Sequence, residues 1–270
     1  MSHPVISVIV TTKRPKFWSS FCKSFYSNKI PFEIVFVGPN SPISSLPKNV
    51  KYIKTNVKPV QCLEIAYRNS EGEFIFHTGD DLIFSDKILD ILHDKFSKTH
   101  DDRNIISPRF KTRSGRLKTD SKCLMAPKQP NSPLIALCGG IIKKETWENL
   151  GGLDNRFITA LSIRDLFLRV YGIGGKLIYC DESYVREIPE PNPKKRLWYL
   201  TRQYDQPKFL SCWVRKTKIG EKVPSDSTWC YYNEKKKQVL SRKRLKKIKK
   251  FNNENLLIIS QGRNLKNKWN

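Results

Sequence analysis

Short apolar runs alternate with helix-period stretches along the first two-thirds of this chain. Residues 5–10 (Val-Ile-Ser-Val-Ile-Val) are nearly continuous and β-branched, the pattern of a strand buried on both faces. The polar loop Thr11-Thr12-Lys13-Arg14 follows, and Pro15 is placed to open a helix running to about Ser27. Residues 33–37 predict a second strand that ends in Gly38-Pro39-Asn40-Ser41, and residues 50–54 predict a third. A helix is expected over about 60–69 and a strand over 73–78. A further helix is expected after Ser85 as N-cap, with Ile88, Leu92 and Phe96 on one face. This β-α-β-α-β alternation predicts an α/β fold, a mostly parallel sheet flanked by helices on both faces.

Beyond it, residues 103–133 are basic, contain proline and show little periodicity, which reads as a long loop near a ligand cleft. Residues 134–142 resume as a strand, 144–150 as a short helix, and Gly151-Gly152-Leu153-Asp154 as a turn. A helix over 163–171 and a strand over 176–180 complete this pattern. After Arg186 the signal changes to aromatic-rich segments (Trp198, Tyr199, Tyr204, Trp213). A basic stretch, 235–250, then carries Val239, Leu240, Leu245 and Ile248 at helix-compatible spacing. The chain therefore divides into a unit over 1–185 and a basic, helical C-terminal extension over 186–270. No internal repeat is visible.

Charge sharpens that division. The net charge is +25, and residues 186–270 hold 23 Lys/Arg against 7 Asp/Glu, so the excess lies mainly in the extension. Its partners are expected to be anionic: a phospholipid surface, an acidic glycan or nucleic acid. The nucleic-acid reading is the weaker one, because no RRM, KH or zinc-knuckle motif accompanies the basic residues. The seven cysteines include no C-x-x-C pair, which fits a reducing cytosol and argues against structural zinc. The N-terminus carries a strand-like segment where an apolar leader would lie, and the longest apolar run falls short of a membrane span. The expectation is a cytoplasmic protein, soluble or peripheral at a membrane.

The candidate chemistry sits at the end of the fourth strand pattern. The run Phe74-Ile75-Phe76-His77 leads into Thr78-Gly79-Asp80-Asp81, so a buried strand delivers two carboxylates to its C-terminal end. Such acids suit Mg²⁺ or Mn²⁺ and, through the ion, phosphate, although Gly-Asp-Asp also favours a plain turn. His77 invites a metal reading too, but strand alternation favours a packed or hydrogen-bonded core histidine.

Several segments in order resemble the family 2 glycosyltransferases, enzymes of the Rossmann-like GT-A fold. They are the first strand with Thr11-Thr12-Lys13-Arg14-Pro15, Ala66 through Ile75, Thr78-Gly79-Asp80-Asp81, and Cys138-Gly139-Gly140 with the 147–157 segment. The last is Arg164-Asp165-Leu166-Phe167-Leu168-Arg169. The likeness covers residues 4–185. It implies a hexosyltransferase-type enzyme that moves a sugar from a nucleotide-diphosphate donor to an acceptor hydroxyl, with inversion and metal assistance. The acceptor would be a glycan, a lipid-linked sugar or a cell-surface polysaccharide. The resemblance places Asp80 as the metal ligand with Asp81 beside it, and Thr11, Thr12, Arg14, Asn40 and Arg68 along the donor. It also exposes departures. Thr78 stands where the first acid of an Asp-x-Asp motif belongs, and Gly38-Pro39-Asn40 stands where an acid reads the base. Ser162-Ile163 replaces the Glu-Asp pair that holds the catalytic base, which leaves Asp154 and Asp165 as candidate bases. A GT-A-fold binder of sugar nucleotides or glycans without catalysis is the competing reading.

Overall fold

The computed structural model describes residues 3–111, 117–118, 139–159, 161–188, 201–213 and 242–254. The strands are β1 (Ile6–Thr11), β2 (Phe32–Gly38), β3 (Val50–Lys54), β4 (Phe74–Gly79), β5 (Leu82–Phe84), β6 (Ile105–Lys111), β7 (Leu117–Lys118), β8 (Ile141–Lys143) and β9 (Leu177–Glu187). The helices are α1 (Trp18–Lys23), α2 (Pro59–Arg68), α3 (Ile88–Ser97), α4 (Lys144–Asn149), α5 (Leu161–Gly172), α6 (Gln206–Trp213) and α7 (Arg242–Glu254).

One sheet runs in the order β3-β2-β1-β4-β8-β6-β9-β5, with β7 beside β6. The first four strands are parallel to one another, β8 is antiparallel to both β4 and β6, and β9 is parallel to β6. The expected α/β sheet flanked by helices is therefore present, but it is mixed: β3-β2-β1-β4 is parallel, while β8, β7 and β5 pair antiparallel with their neighbours. Alternation splits the core between its two faces. Ile6, Val8, Val10, Phe74 and Phe76 pack with Trp18, Phe21 and Phe25 on one side, where α3 adds Ile88, Leu89, Leu92 and Phe96. Ile9, Val35, Val37 and Ile75 meet the apolar residues of α2 and α5, together with Trp147 and Phe157, on the other. Trp147 and Phe157 are fully buried, so both are packing residues. The buried Ser7 that interrupts the first strand has a partner: its hydroxyl donates to Glu33 at 2.7 Å and accepts the Gly72 amide at 2.8 Å.

Several boundaries differ from the sequence reading. The helix expected from Pro15 to Ser27 is a 3-10 turn over Pro15–Phe17 followed by the short α1. Strand β6 lies inside the stretch read as a loop, because its inward residues are held by pairing with β8 and β9; the rest of that stretch, 112–116 and 119–133, is outside the described residues. Of the strand expected over 134–142, Ile141 and Ile142 lie in β8, while 134–138 lies outside the described residues. Ser85 does not cap α3. Its amide and hydroxyl are used by Tyr184 on β9, and Asn28 Oδ1 caps the helix instead by accepting the Leu89 amide at 2.7 Å. Asn28 is 61 residues away from Leu89 in sequence, so no local pattern announces it. Among the described residues, no helix is long and apolar enough to cross a membrane.

Candidate functional site

Strand β1 is followed in the chain by β2 on one side, while β4 lies on its other side, so the connections after β1 and β4 diverge. A crevice at the C-terminal ends of strands at such a switch point is where open α/β sheets bind ligands. The residues delivered there are Thr11-Thr12-Lys13-Arg14 after β1, Gly38-Pro39-Asn40 after β2, and Asp80-Asp81 after β4.

Asp80 organises this edge and is 1% exposed. Its Oδ2 accepts the Thr12 hydroxyl at 2.6 Å, the Lys13 amide at 3.0 Å and the Arg14 amide at 2.8 Å. Its Oδ1 accepts Arg14 Nε at 3.1 Å, and Arg14 Nη1 reaches Asp81 Oδ2 at 2.9 Å. The Thr12 hydroxyl also accepts Trp18 Nε1 at 2.5 Å, and that indole stacks on Phe36 with ring centres 4.5 Å apart. The loop after β1 is thus tied to the end of β4 by one carboxylate. Burial pushes the Asp81 carboxyl up, Arg14 pulls it down, and the Asp80 charge beside it pushes it up again; the net direction is up.

The second loop is packed against the first. A Cβ on Gly38 would lie 1.7 Å from the Thr12 carbonyl oxygen, so only glycine lets the strands end this close together. Asn40 Nδ2 donates to the Lys13 carbonyl at 2.6 Å. The Thr11 side chain hydrogen-bonds the Cys62 thiol, whose pKa burial pushes up to about 12. Thr12, Lys13, Arg14, Asn40, Asp80 and Asp81 are therefore one cluster, while the Thr11 side chain turns to Cys62 on α2. Lys58, at the start of α2, is almost fully buried. Desolvation lowers its pKa, and the nearest charges are Lys208, which lowers it further, and Asp205, which raises it. Asp205, from the extension, accepts the Ile158 and Thr159 amides at 2.8 Å each. Neither Lys58 nor Asp205 carries a local sequence signal, because each is defined by a partner far along the chain.

The structure does not bring the remaining candidates to this cluster. Arg68 pairs with Glu64 at 2.7 Å at the far end of α2, near the start of β4. A helix between parallel strands runs back along the sheet, so that end lies away from Asp80. Asp154 is 0% exposed and holds Arg156 through both carboxylate oxygens, at 2.8 and 2.6 Å. Burial opposes its charge, but Arg156 holds its pKa below the ordinary value. Asp165 is also 0% exposed. It pairs with Arg169 at 2.9 Å, and Arg169 in turn donates to the carbonyls of Leu150 and, at 2.7 Å, Gly152. Asp165, through Arg169, fixes the Gly151-Gly152 turn, where φ is +79° and +68°. Both carboxylates, Asp154 and Asp165, are committed to arginines. Ser162 donates to the Thr159 carbonyl at 2.8 Å and Ile163 packs on the core, so the position of the family's base holds no carboxylate.

The curled, mixed sheet with this switch-point edge is the GT-A fold of glycosyltransferases. Among solved structures, S. aureus TarS matches with a TM-score of 0.52 at 17% identity, over 73% of this chain and 38% of that one. TarS 1-349 in complex with UDP gives 0.53 at 17% identity, over 73% of this chain and 63% of that one. GalNAc-T7 with UDP, GalNAc and Mn²⁺ gives 0.52 at 14% identity, over 96% of this chain and 56% of that one. The chain thus spans less than two-thirds of each of these. No protein-family model and no curated protein sequence matches it.

A divalent ion in such a site needs carboxylate oxygens with an open approach. Asp80 Oδ2 already accepts three donors, Asp80 Oδ1 and Asp81 Oδ2 each accept an arginine nitrogen, and Thr78 supplies no acid. Among the described residues, no group of three or more His, Cys, Asp or Glu is placed to hold a metal ion. The residues present do not fit a metal centred on Asp80.

Proposed function

We propose that this chain binds a nucleotide-diphosphate sugar at the β1/β4 crevice and transfers the sugar to an acceptor hydroxyl. The observation that carries the reading is the cluster of Thr12–Arg14, Gly38–Asn40 and Asp80–Asp81 at the switch point. Related folds hold UDP or, in TarS 1-349, UDP-GlcNAc. In this reading Lys13 and Arg14 face the diphosphate, as cations and backbone donors suit phosphate oxygens. Thr11 and Asn40 lie along the nucleoside. The Thr12 hydroxyl, committed to Asp80 and Trp18, shapes the loop and does not touch the ribose. Metal assistance through Asp80, which the family resemblance implies, is left out because that carboxylate is already engaged. The acceptor belongs to the glycan or lipid-linked class, and the exposed lysines of α7 hold the protein at an anionic surface.

A second reading is favoured by one observation. Asp154 and Asp165 are sealed in arginine pairs and Ile163 occupies the base position, so the chain binds sugar nucleotides without transferring the sugar. Calorimetry with UDP-, GDP-, CMP- and dTDP-sugars tests both readings, followed by turnover with candidate acceptors. Binding with turnover supports transfer, binding without turnover supports the second reading, and no binding by any nucleotide sinks both.

A further inference from the structure

The acids at the end of β4 hold an arginine in the place where they would hold a metal. Asp80 is not a loosely solvated turn residue. It gathers two successive backbone amides, a hydroxyl and a guanidinium nitrogen. Successive amides converging on one oxygen form an anion-binding nest, and here the anion is supplied by the protein itself. Arg14 then spans both acids, with Nε on Asp80 and Nη1 on Asp81, a charge-assisted arrangement that fixes the guanidinium plane. Its side chain keeps 19% exposure between a buried anchor, Asp80 at 2%, and a partly open one, Asp81 at 30%, so the cation reaches the surface of the crevice. An ion entering between these carboxylates would have to displace the guanidinium and face its charge. The loss of an acid at Thr78 agrees: one carboxylate fewer suits a resident single charge better than a divalent one.

We propose that the Arg14 guanidinium, clasped by Asp80 and Asp81, is the resident cation of this site and takes the place of a divalent ion toward a nucleoside diphosphate. The inference rests on reading the crevice as a nucleoside-diphosphate site. It assigns Asp80 and Asp81 to positioning Arg14.

Two measurements on the full chain test it. The first is titration of Mn²⁺ followed by electron paramagnetic resonance, without nucleotide. Wild type is expected to leave Mn²⁺ free at millimolar concentration. One bound ion that disappears in Asp80→Asn or Asp81→Asn overturns the proposal. The second is calorimetry with UDP and GDP, in EDTA and in Mn²⁺. Affinities that agree within about twofold support the proposal, and binding tightened about tenfold or more by Mn²⁺ overturns it. In EDTA, Arg14→Ala is expected to weaken nucleotide binding by about tenfold or more, the scale of a lost charge-assisted contact. Unchanged affinity overturns the role of Arg14. Should that variant fail to fold by circular dichroism, Arg14→Lys replaces it, since it keeps the charge but cannot bridge both acids. If neither nucleotide binds wild type in either buffer, the functional reading fails, while the Mn²⁺ titration still decides whether the acids are committed to Arg14.

Discussion

Asn252 on α7 accepts the Asn155 side-chain amide at 3.0 Å and completes a turn that lies almost a hundred residues earlier in the chain. Its own amide donates to the carbonyls of Gly151 and Leu153, at 2.9 Å each. Two of the turn's carbonyls therefore depend on α7 for their hydrogen bonds. Ile248, one turn earlier on the helix, is fully buried, while Lys246, Lys247, Lys249 and Lys250 are exposed. Helix α7 is docked to the fold on one face and charged on the other.

Replacing Asn252 by Leu is expected to destabilise the protein by about 2–4 kcal/mol, since two carbonyls and the backbone and side-chain N–H groups of Asn155 lose a partner in a buried place. Urea unfolding measures it. A loss under about 0.5 kcal/mol would mean that water or a neighbour takes over and that α7 does not brace the turn.

Asp154→Asn and Asp165→Asn separate a folding role from a catalytic one. Breaking the fully buried Asp165–Arg169 pair is expected to cost about 3–5 kcal/mol, and the double change Asp165→Leu with Arg169→Met should cost less than either single change. Asp154 has a depressed folded pKa, so its contribution is present above the unfolded value of about 3.9 and lost as pH falls through the folded one. Asp154→Asn should flatten that acid limb. If either variant keeps wild-type stability yet loses turnover at unchanged donor affinity, that residue is the base and its structural assignment is wrong.

His77 is fully buried between Trp147 and Phe167, and neither ring nitrogen has a hydrogen-bond partner among the described residues. Burial lowers its pKa to about 4. Between pH 6.5 and 4 the unfolded chain binds the proton and the folded chain does not, so stability is lost as pH falls through that window, by about 3 kcal/mol. His77→Phe should remove that slope and leave the protein as stable or more stable at neutral pH, because it deletes two orphaned polar atoms. Stability measured at pH 7, 5.5 and 4.5 checks it. An unchanged slope would show that another group titrates there.

The exposed lysines of α7 predict salt-sensitive association with anionic vesicles. Changing Lys246, Lys247, Lys249 and Lys250 to Gln is expected to release the protein, at about 1 kcal/mol per charge near the surface. Co-sedimentation with anionic and neutral liposomes at low and high salt is the test. Binding that ignores both lipid charge and salt would exclude this face as the contact.

The parallel core was legible in the chain because its information is local. β-branched runs at 5–10 and 33–37, the loop residues between them and the acids after Phe76-His77 each announce their own element. Period-two alternation also placed His77 in the core, away from the metal position. The roles of the acids were not legible in the same way. Asp80, Asp154 and Asp165 read alike as carboxylates near turns, yet Asp80 gathers the loop after β1, Asp154 holds Arg156, and Asp165 holds the arginine that binds the Gly-Gly turn. Strands β5 and β6 were missed for a related reason: short or irregular sequences become strands when a neighbour from elsewhere in the chain completes their hydrogen bonds. The sequence by itself determined which groups were charged and where the parallel strands ran. Only the tertiary structure decided which charges met each other and which faced the crevice, because a carboxylate's chemistry depends on the donors around it, and these come from distant parts of the chain.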